Sequence, residues 1–510
     1  MTTWAIRIPI LILAALCSVR ATCAQDQYSA IRADIEREIA AGRATGVAVA
    51  LTDQGKIIWQ EGFGWADKER GRRVTPDTSF SLASVTKPFT TTALMVLVAA
   101  GEVSLDAPAN DYLGPAKIRA GVGDPAKVTV RALASHSSGL PGTFQIFPAG
   151  GALKQPSMDE VIRNYGVVVE PPSKRFAYSN VGMGIVAHIA SRRSGLDYGV
   201  FLRDKVLEPL GLKHSFFATE VSRHGEMAQR YDRDGKVFPF YVTSTPGTGE
   251  LYASAHDVAR FAMFHLHDHL ADQKQVLSDA QIDELHRAVI HVREDRSHGV
   301  GWMLGRAFDG TPVVYHTGNQ AGVVNVMMLL PSRDIACVVL TNHDDSHDLV
   351  DRIRDAALRT LVPDWKWQSL APSPAQPVPQ TYSGTWRGEV RDSENAIPIV
   401  LTVAGQASSL QIGRQKPEPI SQLSLVDGAL VATARGKLDF PTAKAAQAEG
   451  LSLRLQLQDE KLAGEIGTQI PIPRATVPGY LPYFAELALS STPSAASRPA
   501  PRASASPAPR

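Results

Sequence analysis

The chain has 510 residues, 52 basic and 51 acidic side chains, a formal charge of +1 and 44% hydrophobic residues. Charge so evenly balanced and interspersed excludes the electrostatic footprint of a nucleic-acid or anionic-membrane binder. The length exceeds one ordinary domain, and the apolar content is enough for more than one core.

Residues 1–24 read as a secretory signal peptide, with Arg7 for charge, a short apolar run from Ile8 to Val19, and Thr22-Cys23-Ala24 as a cleavage site. The run is too short to predict a membrane span, so the expectation is a periplasmic or secreted protein without a transmembrane segment after cleavage. Leu16 and Thr22 precede Cys17 and Cys23, a poor lipoprotein context, so a lipid anchor ranks second. Cleavage would leave Cys337 alone in the strand-like run Ile335 to Leu340, a small core residue with no disulfide partner.

Val47 to Leu51 and Lys56 to Gln60 read as strands joined by the hairpin signal Thr52-Asp53-Gln54-Gly55. Ser84-Val85-Thr86-Lys87 then opens a helix that is apolar on every side from Thr90 to Ala100, and so buried. Three residues apart on a helix, Ser84 and Lys87 share one face, and an amine there can take the proton of a hydroxyl that is otherwise a weak nucleophile. Free N–H groups and the dipole at the helix start favour a developing oxyanion. Pro88 is tolerable because it falls in the first turn.

Tyr178-Ser179-Asn180 precedes a second apolar helix, Val181 to Ser191. Ser179 or Asn180 can cap that helix, but capping does not explain the tyrosine. A phenol near a lysine ammonium is expected to have a lowered pKa and to serve as base and then acid. His316-Thr317-Gly318 stands at the end of the run Val313-Val314-Tyr315, and Asn319 after it can offer a backbone N–H as a second oxyanion donor. Gly322 to Leu330 and Asp334 to Thr341 are further strands, covered by a helix from Ser346 to Leu361. The first domain, 25–367, is thus α+β, an antiparallel sheet with strands from both ends of the domain and helices between.

A Pro-rich linker occupies 368–380. Over 381–489 the pattern alternates with period two in Tyr382 to Val390, Pro398 to Val403, Ser408 to Ile412, Ala429 to Ala434, Leu451 to Leu457 and Lys461 to Ile466, predicting an all-β sandwich or small barrel. Residues 490–510 are almost wholly Ser, Pro, Ala and Arg, a disordered composition. His265-Leu266-His267-Asp268-His269 imitates a metal motif, but only His265 and His269 could share an ion on a helix, and no further ligand stands at the usual spacing. His343-Asp344-Asp345 with His347 reads as a polar loop, and His136 as a structural hydrogen-bonding residue. No metal or cofactor is implied.

Together these triplets resemble the serine β-lactamase and penicillin-binding-protein superfamily, on the branch of class C β-lactamases, D-aminopeptidases and related esterases. Further landmarks carry the resemblance from about Ile31 to Val362: Pro76-Asp77-Thr78-Ser79-Phe80, Leu105-Asp106, Tyr112-Leu113, His136-Ser137-Ser138-Gly139-Leu140-Pro141, Glu208-Pro209-Leu210-Gly211-Leu212, Gly249-Glu250-Leu251-Tyr252 and Gly299-Val300-Gly301-Trp302. The segment opening on Gly384-Thr385-Trp386 more loosely resembles the lipocalin-like domains appended to some members.

The resemblance implies that Ser84 is acylated, that Lys87 and Tyr178 handle its proton, and that Asn180 orients Lys87 or a substrate amide. It implies an oxyanion hole from the N–H groups of Ser84 and Asn319. Many members carry a lysine where this chain has His316, and an imidazole is mostly neutral at pH 7. Carboxylate recognition should be weaker, which favours esters, amides or peptides over β-lactams. The expected partner is a small-molecule or peptide substrate. The other reading is a non-catalytic or slow β-lactam or peptidoglycan-peptide binder on the same fold.

Overall fold

The computed structural model describes residues 27–368 and 370–491, so the proposed leader and nearly all of the tail lie outside the described residues. The chain divides into two compact units, Met1–Ala371 with Ile470–Leu481, and Pro372–Gln469 with Pro482–Arg510.

The first unit is built on nine antiparallel strands: β1 (Gly46–Asp53), β2 (Lys56–Asp67), β3 (Arg72–Arg73), β4 (Ile290–Arg293), β5 (Arg296–His298), β6 (Met303–Arg306), β7 (Pro312–Gln320), β8 (Val323–Leu330) and β9 (Ile335–Thr341). Their order is β3-β2-β1-β9-β8-β7-β6-β5-β4. The two ends of the domain meet at β1 and β9, where Val47 pairs with Thr341 and Asp53 with Ile335. β8 and β9 are buried at every residue, which their unbroken runs of Val, Leu, Ile and Met allow. Helices α1 (Ser29–Ala40) and α5 (His347–Arg359) send Ile31, Ile35, Leu349, Val350 and Ile353 into one core with Val47, Val339 and Cys337. Between the sheet's two halves in sequence come α2 (Thr86–Ala99), α3 (Asn180–Ser194) and α4 (Ala255–His265). Among the described residues no helix is long and apolar enough to cross a membrane.

The second unit is a closed barrel of eight antiparallel strands, β10 (Gly384–Arg391), β11 (Ala396–Val403), β12 (Ser409–Ile412), β13 (Glu418–Val426), β14 (Ala429–Ala434), β15 (Glu449–Gln458), β16 (Lys461–Ile470) and β17 (Gly479–Ser491). Trp386, Leu401, Leu430, Leu455 and Leu487 are buried, as alternating residues of a filled barrel should be. The pattern of the sequence predicts six of the eight strands. β13 escapes it because Pro419 and a bulge at Gln422 break the alternation and no residue of the strand is fully buried. β17 escapes it because Pro482 and the helix-favouring Ala485-Glu486-Leu487-Ala488 mask a strand that runs through Ser491, past the expected start of the tail.

Candidate active site

Ser84 lies in a single 3-10 turn, Ala83–Val85, directly before α2 begins at Thr86. Pro88 is the third residue of the helix, where a missing N–H costs nothing. Thr91 and Thr92 return their hydroxyls to the Pro88 carbonyl at 3.1 and 2.8 Å, so a run of polar β-branched residues is buried without orphaned groups. Ala83 has φ +47, a left-handed conformation that an alanine holds only under tertiary constraint. Its constraint is the strand behind it. A Cβ on Gly318 would stand 2.3 Å from the Leu82 carbonyl oxygen, so only glycine lets β7 come this close.

Two side chains converge on Ser84. Lys87 Nζ is 2.9 Å and Tyr178 Oη 3.0 Å from Ser84 Oγ. Lys87 is wholly buried, donates to the Thr248 carbonyl at 3.0 Å, and has no acidic partner; desolvation holds its pKa well below the lysine range. Desolvation also moves Tyr178, but upward, and the hydrogen bond with Ser84 offsets only part of this. The expected lowering of the phenol pKa by a lysine ammonium is therefore corrected. Burial of the phenol outweighs any lowering and favours its protonated form.

The loop at His136 positions Tyr178. The His136 carbonyl accepts the Ala177 N–H at 2.7 Å, its Nδ1 accepts the Ser179 N–H at 3.1 Å, and its ring stacks on Tyr178 at 4.1 Å between centroids. Ser179 caps α3 by accepting the Gly182 N–H at 2.9 Å and ties back to the Pro141 carbonyl at 2.7 Å. Asn180 is the first residue of α3 and donates to the Thr143 carbonyl at 3.0 Å. The hydrogen bonds of Lys87 go to Ser84 and Thr248, so Asn180 does not orient it here.

His316-Thr317-Gly318-Asn319 falls inside β7 rather than at its end, because the strand runs on to Gln320. β6 pairs with β7 only as far as Tyr315, so among the described residues no strand pairs with this edge past that point. Gly318 faces the turn that carries Ser84, His316 lies on the same side of the strand, and Thr317 and Asn319 line a cavity of about 310 Å³ with Tyr315, Met328 and Trp367. His316 is wholly buried, and its Nδ1–H donates to the Thr317 carbonyl at 2.7 Å. Burial holds its pKa well below the usual imidazole value.

Sequence reasoning missed His298. Its ring lies 4.9 Å from that of His136 and 6.5 Å from that of His316, its pKa is pushed down to about 4, and the Nε2 atoms of all three have no protein partner. Its position directly before Gly299-Val300-Gly301-Trp302 was the only available signal. The histidines around residue 267 do not gather. α4 ends at His265, which meets Thr92 at 3.0 Å, whereas His267 and His269 turn to Asp283 and Asp279.

Residues 31–361 match the family model described as Beta-lactamase. Penicillin-binding protein 4 of Amycolatopsis lactamdurans is 28% identical over 331 residues, a match covering 62% of this chain and 84% of that protein. An octameric penicillin-binding protein homologue from Pyrococcus abyssi shares the fold over 90% of this chain and 99% of its own, with TM-score 0.58 and 22% identity. D-amino acid amidase from Ochrobactrum anthropi SV3, solved with L-phenylalanine amide, shares it over 66% and 99%, with TM-score 0.53 and 24% identity. With more than half its length matched in register and the same fold in both neighbours, the chain belongs to the beta-lactamase family.

Proposed function

We propose that the protein is an exported serine hydrolase that works through a Ser84 acyl-enzyme on esters, amides or peptides, with little or no β-lactamase activity. The observation that carries this reading is the convergence of Lys87 Nζ and Tyr178 Oη on Ser84 Oγ at 2.9 and 3.0 Å. The Thr248 carbonyl can only accept, so the neutral amine donates to it and keeps its lone pair for the serine. As Oγ attacks the substrate carbonyl carbon, its proton passes to Lys87 and the carbonyl electrons move onto the oxygen. The N–H groups of Ser84 and Asn319 would stabilise that oxyanion, each by about 3–4 kcal/mol in comparable acyl transfer. The C–O or C–N bond then breaks, and the leaving group takes a proton from the Lys87–Tyr178 pair. Water repeats the sequence, releasing the acid and free Ser84.

Substrate choice follows from charge. A buried, neutral His316 has no cation to offer a carboxylate, which argues against β-lactams and free C-terminal D-amino acids. Asn180, and the unpaired edge of β7 beyond Tyr315, can hydrogen-bond an amide or ester of either stereochemistry.

The test is intact mass of the protein and of its Ser84→Ala variant after separate incubation with a fluorophosphonate and a penicillin. A fluorophosphonate adduct absent from the variant, without a lasting penicillin adduct, is expected. A persistent penicillin adduct would overturn the substrate assignment, and no adduct with either reagent would overturn the hydrolase in favour of a binding protein.

A further inference from the structure

Most deeply buried guanidinium groups of this chain have acidic company: Arg296 holds Asp295 at 2.5 Å, and Arg354 holds Asp351 and Asp355 at 2.5 and 2.9 Å. Arg230 does not. It is 5% exposed, and among the described residues it forms no ion pair within 4.0 Å. Its Nη2 donates to Ser81 Oγ at 3.0 Å, its Nη1 makes a long 3.4 Å contact with the Tyr241 carbonyl, and its Nε has no partner. Tyr241 and Tyr252 lie 4.0 and 5.3 Å from the guanidinium carbon, which softens the burial of the charge without neutralising it. A charge taken out of water without an opposite charge is costly, and proteins keep such a group where something else completes it.

Beside Arg230 is a cavity of about 430 Å³, also lined by Arg70, His224, Phe238, Phe240 and Tyr252, with no Asp or Glu in its wall. Glu250 is an acid that interacts electrostatically with Arg230. It is itself fully buried, bound by the Thr243 N–H and hydroxyl at 2.6 and 3.0 Å, and its carboxyl is pushed up to about 7, so at neutral pH it cancels only part of the charge. Ser84, Lys87, Tyr178 and His316 do not line this cavity.

We propose that this cavity binds a small monocarboxylate with an aromatic or aliphatic body, the carboxylate completing Arg230 and the body lying against Phe238, Phe240 and Tyr252. The charge count and the walls choose the class. One buried cation suits one negative charge, and a carboxylate accepts the guanidinium donors in a planar geometry. Arg70, the other guanidinium of the wall, is exposed and already turned to Asp67 at 3.7 Å, so phosphate would bring more charge than Arg230 balances and would press its remaining oxygens onto aromatic carbon. The inference does not depend on the hydrolase reading.

Met227 lines the cavity and serves as a local reporter. Ser84→Ala protein labelled with ¹³C at the methionine methyls, the Met227 signal assigned through Met227→Leu, is titrated with benzoate, benzamide and inorganic phosphate. Benzoate should shift the Met227 methyl saturably in the millimolar range. Benzamide and Arg230→Gln should each weaken binding by about tenfold or more, the worth of a charge-assisted hydrogen bond. Phe240→Ala, at a half-exposed position, provides a folded variant that should also bind benzoate more weakly. A Met227 signal indifferent to benzoate, equal affinity for benzamide, or a response to phosphate alone would each overturn the proposal. Because Ser84 is absent from the protein tested, failure here leaves the fluorophosphonate result untouched.

Discussion

Gly318→Ala is the sharpest test of how the nucleophile is held. The added Cβ would lie 2.3 Å from the Leu82 carbonyl oxygen and 3.2 Å from the Ala83 Cβ. Neither neighbour can yield easily, because the turn is pinned by the Leu82 N–H on the Leu251 carbonyl at 2.9 Å and the Val85 N–H on the Leu82 carbonyl at 3.2 Å. Ordinary contact begins at 3.4 Å, so strand and turn must part by about 1 Å. Such a displacement of the Asn319 N–H, the proposed oxyanion donor, from Ser84 should cost about 10²-fold in rate. Overpacking costs a further ~1–3 kcal/mol of stability. The second-order rate of fluorophosphonate labelling measures the first effect, and a denaturant midpoint the second. A folded variant that labels at the parental rate would refute the claim that β7 sets the geometry at Ser84.

Labelling should also report the state of Lys87. With its pKa held well below the lysine range, the rate should climb with pH and level off well before the ordinary lysine range; a midpoint in that range would contradict the lowered amine. His316→Lys places an ammonium at the third motif and should speed penicillin acylation; unchanged or slower acylation would remove the charge argument for substrate choice. Burial, together with the neighbouring Asp334, pushes the Asp268 carboxyl up to about 7. A raised folded pKa means the stabilisation is complete below the ordinary carboxyl value and is lost as pH rises from there through 7. Urea midpoints across this window should fall with pH in the parent and stay flatter in Asp268→Asn; parallel slopes would exclude the raised carboxyl.

The groups at Ser84 were legible because reactivity needs particular residue types at spacings that a helix start or strand dictates. The sheet was legible where strands are long and uninterrupted, as in Val323–Leu330 and Ile335–Thr341. What stayed hidden depends on contacts distant in sequence. Asn180 turns to Thr143 because of where the loop after Pro141 lies, and no local pattern encodes that. The sign of the Tyr178 shift depends on how much of the chain covers the phenol, which only the folded structure supplies. The short strands Ile290–Arg293 and Arg296–His298 carry arginine and histidine and too few residues for a pattern, and their pairing with each other makes them strands. Arg230 looked like any surface arginine.

The meeting of β1 and β9 has a consequence for how the chain is made. β1 can form a hairpin with β2 as soon as both are synthesised, but its other edge waits for Ile335–Thr341. Until those residues leave the ribosome, an almost wholly apolar strand has open N–H and C=O groups along one side. Closing so long a loop is slow and gains nothing until the last strand arrives. Newly made chains should therefore linger in an open form that a translocase or holdase can bind, and truncation before Thr341 should yield aggregate rather than a smaller domain.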